Sequence, residues 1–295
     1  MHFDNISLYL RDIQLTELDI LLEFDRLCKK FEIKYQLFAG TLLGCIRHNG
    51  FIPWDDDIDV CMIRDEYNRF LDIATDELDS KYFLQTFATD KNFIKQLCRI
   101  RKINSLCLQS ATQYHKMHHG IPISITPLDN IKPNTILGEL HRSLYQLSII
   151  IFRKLNYSRS LDFCLSQKNP VVKTISLLLH NISKIIPKRT TDQLQEKIAC
   201  LFNNQETEYV THLTNGASRK KYFAFMMKRE EFYDVISGNF EGYEFPIPRS
   251  YHQLLTNIYG DYMKPPPVEE QKPKHGIVKL CLDTENQEII DFQNT

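Results

Sequence analysis

Trp54-Asp55-Asp56-Asp57-Ile58-Asp59-Val60-Cys61-Met62-Ile63 sets four carboxylates within five residues, directly ahead of an apolar run. Side chains alternate along a strand, so a strand over about 57–63 puts Asp57 and Asp59 on one face with Cys61 and Ile63. Ile58, Val60 and Met62 form the other face. Both faces turn apolar within two residues, which places the two carboxylates at the rim of a core, where like charges raise one another's pKa unless a cation intervenes. Spaced roughly 7 Å apart along a strand, the pair suits one hard cation. An all-oxygen donor set favours Mg2+ or Mn2+ over zinc, and such an ion keeps some waters and bridges to substrate phosphates.

Upstream, residues 33–39 read as a short buried strand, after which Gly40-Thr41 leads into a helix running to about His48 and closed by Gly50. Gly40 lets the backbone approach a ligand, Thr41 suits the N-cap of a helix beginning at Leu42, and a helix N-terminus is a phosphate seat. Arg47, near the end of that helix, is a bidentate donor for the same phosphates. Before it, Leu15, Leu18, Leu22 and then Ile20, Phe24, Leu27, Phe31 recur at spacings of three and four, an amphipathic helix with Thr16 and Asp19 as its capping box. Downstream, 64–78 returns to helical spacing, 82–87 and 95–103 are extended, and 121–126 is a β-branched run ending at Pro127. Helices and strands thus alternate, and the fold class is α/β (α+β): one mixed sheet with flanking helices.

Residues 132–200 lose strand character and become two amphipathic helical stretches, around 137–155 and 170–186. They read as an inserted helical subdomain between a core at 1–131 and a C-terminal part at 201–295 that completes the domain. In that last part Pro246 and Pro248 frame a strand end, and a helix over 250–259 stops at Gly260. A net charge of −1 argues against a general nucleic-acid binder. The charge is uneven, however: 132–189 holds ten Lys/Arg against two acids, Glu139 and Asp162. No uninterrupted apolar stretch of about 18 residues lies there, so 132–189 is expected to make a peripheral contact, lying on the cytoplasmic membrane face rather than spanning it. Eight scattered cysteines without a CxxC pair read as buried reduced thiols. Met-His-Phe-Asp-Asn shows neither a basic n-region nor an apolar h-region, which points to the cytoplasm. His115, His118 and His119 read as a polar loop rather than a zinc site.

The run from Phe38-Ala39-Gly40-Thr41-Leu42-Leu43-Gly44 through Phe51-Ile52-Pro53-Trp54 to Asp59 closely resembles the signature of the LicD family, which also includes the fukutin-related proteins. The resemblance continues through 95–105, with Arg99 and Arg101 where the family has a basic pair, and returns at 120–129 and 245–275, where Tyr259-Gly260-Asp261-Tyr262-Met263-Lys264-Pro265-Pro266 looks like a C-terminal motif. It implies a nucleotidyltransferase-like fold and transfer of a substituted phosphate, such as phosphocholine, from a CDP-activated alcohol donor to a hydroxyl of a cell-surface glycan or its lipid-linked precursor. Asp57 and Asp59 match the metal-binding pair, Gly40 and Thr41 the phosphate loop, with Arg47, Arg99 and Arg101 as further donor-phosphate ligands. Asp129 joins the pair as a catalytic candidate, and Asp55, Asp56, Ser124, Tyr259, Asp261 and His275 stand as supporting residues. One departure matters. Family members read Ile-Asp-Ile-Phe-Pro-Leu-Asp where this chain has Ile123-Ser124-Ile125-Thr126-Pro127-Leu128-Asp129, so a strand carboxylate that helps bind metal or activates the acceptor hydroxyl is a serine here. Either Asp55, Asp56 or Asp129 substitutes, or the chain is slow, altered or inactive. The alternatives are a nucleotidyltransferase acting on a small molecule or sugar phosphate, and a catalytically impaired partner in glycan assembly.

Overall fold

A computed structural model describes residues 6–214 and 218–292. The elements run α1 (Leu10–Lys30), β1 (Gln36–Leu37), α2 (Ala39–His48), β2 (Asp59–Ile63), α3 (Arg64–Glu77), β3 (Tyr82–Gln85), β4 (Cys98–Lys102), β5 (Leu106–Gln109) and β6 (Pro122–Ile131). Then come α4 (Ile136–Ser158), α5 (Leu161–Ser166), α6 (Pro170–Ile185), α7 (Lys188–Ala199), β7 (Tyr209–Thr211), α8 (Arg219–Ala224), β8 (Met227–Lys228) and α9 (Arg229–Tyr233). The chain finishes with β9 (Val235–Phe240), β10 (Tyr243–Pro248), α10 (Tyr251–Tyr259), β11 (Ile277–Cys281) and β12 (Ile290–Asp291).

The main sheet has the order β1-β2-β6-β4-β3, with β7 beside the far half of β6 and β8 beside β7. Only β2 and β6 are parallel; the other pairs are antiparallel, which makes the sheet mixed. β6 is its spine, and all ten of its residues are buried. It runs straight through Pro127, where a strand end was expected. Ser124 donates its N–H to Ile58 on the β2 side, so by alternation the nitrogen of Pro127 faces the opposite edge. There β4 has stopped pairing at Ile125 and β7 begins only at Asp129, so the missing donor faces no strand.

α1 and α3 pack against β6, and their aromatic residues close the core: Phe24 meets Tyr35 and Phe70 edge to face at 4.8 and 5.0 Å between ring centroids. α1 begins at Leu10, before the expected start, so Thr16 and Asp19 are not a capping box. The Thr16 hydroxyl instead donates to the carbonyl of Asp12 at 2.9 Å inside the helix. α2 likewise starts earlier than expected, at Ala39, with Phe38 as N-cap; it ends on left-handed Asn49 (φ 52°) rather than on Gly50. Between β6 and β7 the chain is helical from α4 to α7, and α5 and α7 are short helices that the apolar periodicity did not announce. No cysteine is paired, and all but the half-buried Cys200 are buried. No helix among the described residues is long and apolar enough to cross a membrane.

Candidate active site

The acidic run crosses from loop into strand. β2 starts at Asp59, so Asp57 lies just before it rather than within it. Two backbone contacts fix Asp59: its carbonyl accepts the N–H of Phe38 at 3.0 Å, and its own N–H donates to the Thr41 hydroxyl at 2.8 Å. Thr41 therefore does not cap α2; its side chain holds the first residue of β2 against the first turn of that helix. At Gly40 an added Cβ would lie 2.7 Å from Asp55 Oδ2, so the glycine makes room for an acid of the cluster.

Asp57 and Asp59 stand where two cavities meet. The larger, about 710 Å³, is also lined by Gly40, Arg47, Trp54, Asp55, Tyr259 and Asp261, together with the cations Lys221, Lys264 and Lys274. The smaller, about 250 Å³, is lined by Lys95, Arg99, Ser124, Arg153 and His212. His275 borders both.

Asp56 is tied elsewhere. Its carboxylate accepts the His275 ring nitrogen Nδ1 at 2.9 Å and the N–H groups of Lys274 and His275 at 3.2 and 3.3 Å. It thereby anchors the segment after Pro266 over the site and turns His275 Nε2 to within 3.5 Å of Asp57. Ligand atoms of Asp56, Asp57 and His275 lie within 4.8 Å of one another, a spacing that suits a metal ion.

Burial would depress His275, but the hydrogen bond it donates to Asp56 and the charges of Asp57 and Asp56 outweigh it and hold the imidazole up at about 9. Burial also pushes Asp56 upward, and there the His275 hydrogen bond and charge prevail and keep it low. The other acids go the opposite way. Burial, then repulsion from Asp57, raises Asp55 to about 7 and Asp59 to about 8. Asp57 is raised by burial against the pull of His275.

The sequence reading missed Glu17. It projects from α1 beneath the cluster, fully buried, and neither of its side-chain oxygens has a partner among the described residues. Burial and then the charges of Asp57, Asp56, Asp55 and Asp59 raise its pKa well above the ordinary value. The signal was an acid inside an apolar helical face, at a position where α1 buries its neighbours Leu18 and Ile20.

Two expected residues are not brought to the pair. Asp129 is five residues beyond Ser124 on β6, about 16 Å away at strand rise. It is held there by Arg64, with Nε at 2.7 Å and Nη2 at 2.9 Å, and by Asn203 at 2.7 Å. Arg101 is buried with Nε on Gln85 and Nη1 on the carbonyl of Gly120, and it lines neither cavity. Arg47 does line the larger cavity, but one of its nitrogens is engaged by the Tyr262 carbonyl at 2.7 Å.

A family profile described as "LicD/FKTN/FKRP, nucleotidyltransferase domain" matches residues 32–121, the stretch from β1 through β5 that carries the acidic run. The chain is 34% identical over 273 residues, 91% of its length and 97% of the relative's, to the lipopolysaccharide cholinephosphotransferase LicD of Haemophilus influenzae. Shorter matches reach an uncharacterised protein of Rickettsia typhi, 45% identical over 16% of this chain and 15% of the relative, and one of Rickettsia prowazekii, 48% identical over 14% and 15%. With near full-length coverage at that identity, and the acidic motif placed where two cavities meet, this chain belongs to the LicD family of transferases.

Proposed function

We propose that the protein transfers a substituted phosphate, phosphocholine or a similar alcohol phosphate, from a CDP-activated donor to a hydroxyl of a cell-surface glycan or its lipid-linked precursor. The observation that carries this reading is the position of Asp57 and Asp59 at the junction of two cavities, the arrangement a two-substrate transfer needs. The name and near full-length match of the Haemophilus relative support the choice of phosphocholine. In this reading the larger cavity takes the donor. The start of α2 and the charges of Arg47, Lys221, Lys264 and Lys274 complement a diphosphate, and Trp54 and Tyr259 offer rings to the base. The smaller cavity takes the acceptor beside Arg99 and Lys95. The stretch 132–200 is read as an inserted unit that supplies part of its wall, through Arg153.

The donor set suits Mg2+ or Mn2+, because Asp57 and Asp59 are oxygen ligands whose pKa values are raised where a nearby divalent charge would lower them. When bound, the ion would neutralise charge on the phosphates. The chain's own residues do the positioning: Thr41 fixes the backbone of Asp59, Asp56 orients His275 toward Asp57, and Arg99 offers a fixed positive charge to the transferring group. The acceptor hydroxyl oxygen bonds to phosphorus as the bond from phosphorus to the CMP oxygen breaks, CMP leaves, and the hydroxyl proton is released to water.

The test offers CDP-choline, CDP-ethanolamine, CDP-glycerol and CDP-ribitol with Mg2+, followed by thermal stabilisation and product analysis. Selective stabilisation and release of free CMP are expected. Pyrophosphate with a nucleotidylated acceptor would establish a nucleotidyltransferase instead, and absence of stabilisation by any of the four would leave a non-catalytic partner in glycan assembly.

A further inference from the structure

Helix α6 is amphipathic in the opposite sense to a helix on a protein in water, and α4 beside it carries a second apolar face that is not covered. The residues that α6 buries are Ser176 and Ser183, whereas Val171, Val172, Ile175, Leu178, Ile182 and Ile185 are exposed. At roughly 100° per residue those six fall on one face, within an arc of about 140°. α4 buries Tyr145, Ile149 and Leu155 together with His141, Ser148 and Asn156, yet leaves Leu137, Leu140, Leu144, Leu147, Ile150 and Ile151 standing outward on a similar arc. Surface helices ordinarily turn the apolar stripe inward, and exposed apolar patches of this extent mark a surface that something covers.

Charge selects the occupant. From Arg153 to Arg189 the chain carries eight Lys/Arg and one acid, Asp162. Lys154, Lys168, Lys184 and Arg189 are exposed, and none of them is in an ion pair among the described residues. A second copy docked on this region would press like charges together away from water, whereas an anionic bilayer would neutralise them. A cleft of about 480 Å³ between α4, α5 and α6 combines the same two chemistries, with Phe163, Val172, Ile175 and Leu179 lining it alongside Arg153 and Lys154. Arg153 and Tyr157 also line the smaller of the two cavities at Asp57 and Asp59, so this surface is continuous with the site.

We propose that the outward faces of α4 and α6 seat the protein on an anionic phospholipid surface. Vesicle binding requires neither donor nor turnover, so it stands or falls apart from the transferase reading. Full-length protein is sedimented with vesicles of phosphatidylcholine alone, or mixed with phosphatidylglycerol, at low and high salt. Binding to the mixed vesicles is expected to be at least about tenfold stronger and to weaken with salt. Ile175→Asp with Leu178→Asp, both at exposed positions, should abolish it. Lys168→Gln with Lys184→Gln should lower partitioning about fivefold for each cation removed. An unchanged thermal midpoint verifies that each variant is folded; should the aspartate pair not fold, the glutamine pair carries the test. Absence of binding to anionic vesicles at low salt, or binding indifferent to the substitutions, would overturn the proposal. So would a wild-type dimer in light scattering that Leu178→Asp makes monomeric.

Discussion

Asp59 lies directly opposite Ser124 in the parallel β2–β6 pair, and Arg99 lies opposite the same serine on the other side, in the antiparallel β6–β4 pair. Opposed residues project to one side of a sheet, so carboxylate, hydroxyl and guanidinium form a row, and all three line the smaller cavity. A carboxylate at 124 would stand beside Asp59 with Arg99 to offset its charge. Ser124→Asp is therefore expected to tighten Mg2+ binding and to raise transfer activity, read from a Mg2+ titration of turnover. Brisk turnover by the wild type with impairment by the added acid would show that another residue fills the role.

Asp57→Asn and Asp59→Asn remove the two carboxylates common to both cavities. Each should lower turnover by at least about 100-fold, since metal charge stabilisation contributes several kcal/mol, and should abolish metal-dependent nucleotide binding. The fold should survive, because burial and repulsion from neighbouring carboxylates, Asp56 on Asp57 and Asp57 on Asp59, already raise both groups. Thermal midpoints without added metal are expected to match or exceed the wild type. Full activity in either variant sinks the metal assignment.

Asp129 should behave as a structural residue. It forms a bidentate pair with Arg64, whose side chain is 6% exposed against 2% for Asp129, and Asn203 donates to the same carboxylate. Asp129→Ala leaves the buried Arg64 guanidinium with Glu196 as its remaining carboxylate and is expected to cost about 3 kcal/mol of stability, the low end for breaking a buried pair, in a denaturant titration, while turnover per folded molecule stays near the wild-type value. A large kcat loss with unchanged stability would return Asp129 to the catalytic set.

The sheet was legible wherever local pattern and tertiary role agree. The apolar run after Asp59 and the β-branched run at 121–126 fall in β2 and, from Pro122, in the first half of β6, and the mixed α/β class follows from their alternation with α1 and α3. Boundaries failed where long-range contacts decide them: Thr41 has the residue type of an N-cap, yet its hydroxyl serves Asp59, eighteen residues away. Within the site, the acidic run could be read but the division of labour inside it could not. Asp56 differs from its neighbours only through His275 and the backbone of Lys274, more than two hundred residues on. Asp129 is a related case, since nothing local announces that its partners are Arg64 and Asn203.

His212 provides a pH signature of the folded state. It is buried at the wall of the smaller cavity, against the rings of Phe38 and Phe225 at 6.0 and 5.7 Å, with the Thr214 hydroxyl 3.0 Å from its Nδ1. Burial lowers its pKa to about 3; the charge of Asp129 opposes that shift and the charge of Lys221 adds to it. The folded state thus keeps the ring neutral at pH values where the unfolded chain, with an ordinary histidine near 6.5, takes up a proton. The stability associated with the neutral ring is complete above about pH 6.5 and is lost as pH falls toward about 3, by up to about 1.4 kcal/mol per pH unit. His212→Asn removes the titrating group, so the fall in stability between pH 6.5 and 4, measured by urea unfolding at each pH, should be shallower in the variant than in the wild type. Equal slopes for the two proteins would mean that His212 is protonated in the folded state or that other histidines, such as His115, held down to about 4 mainly by burial, dominate the acid response.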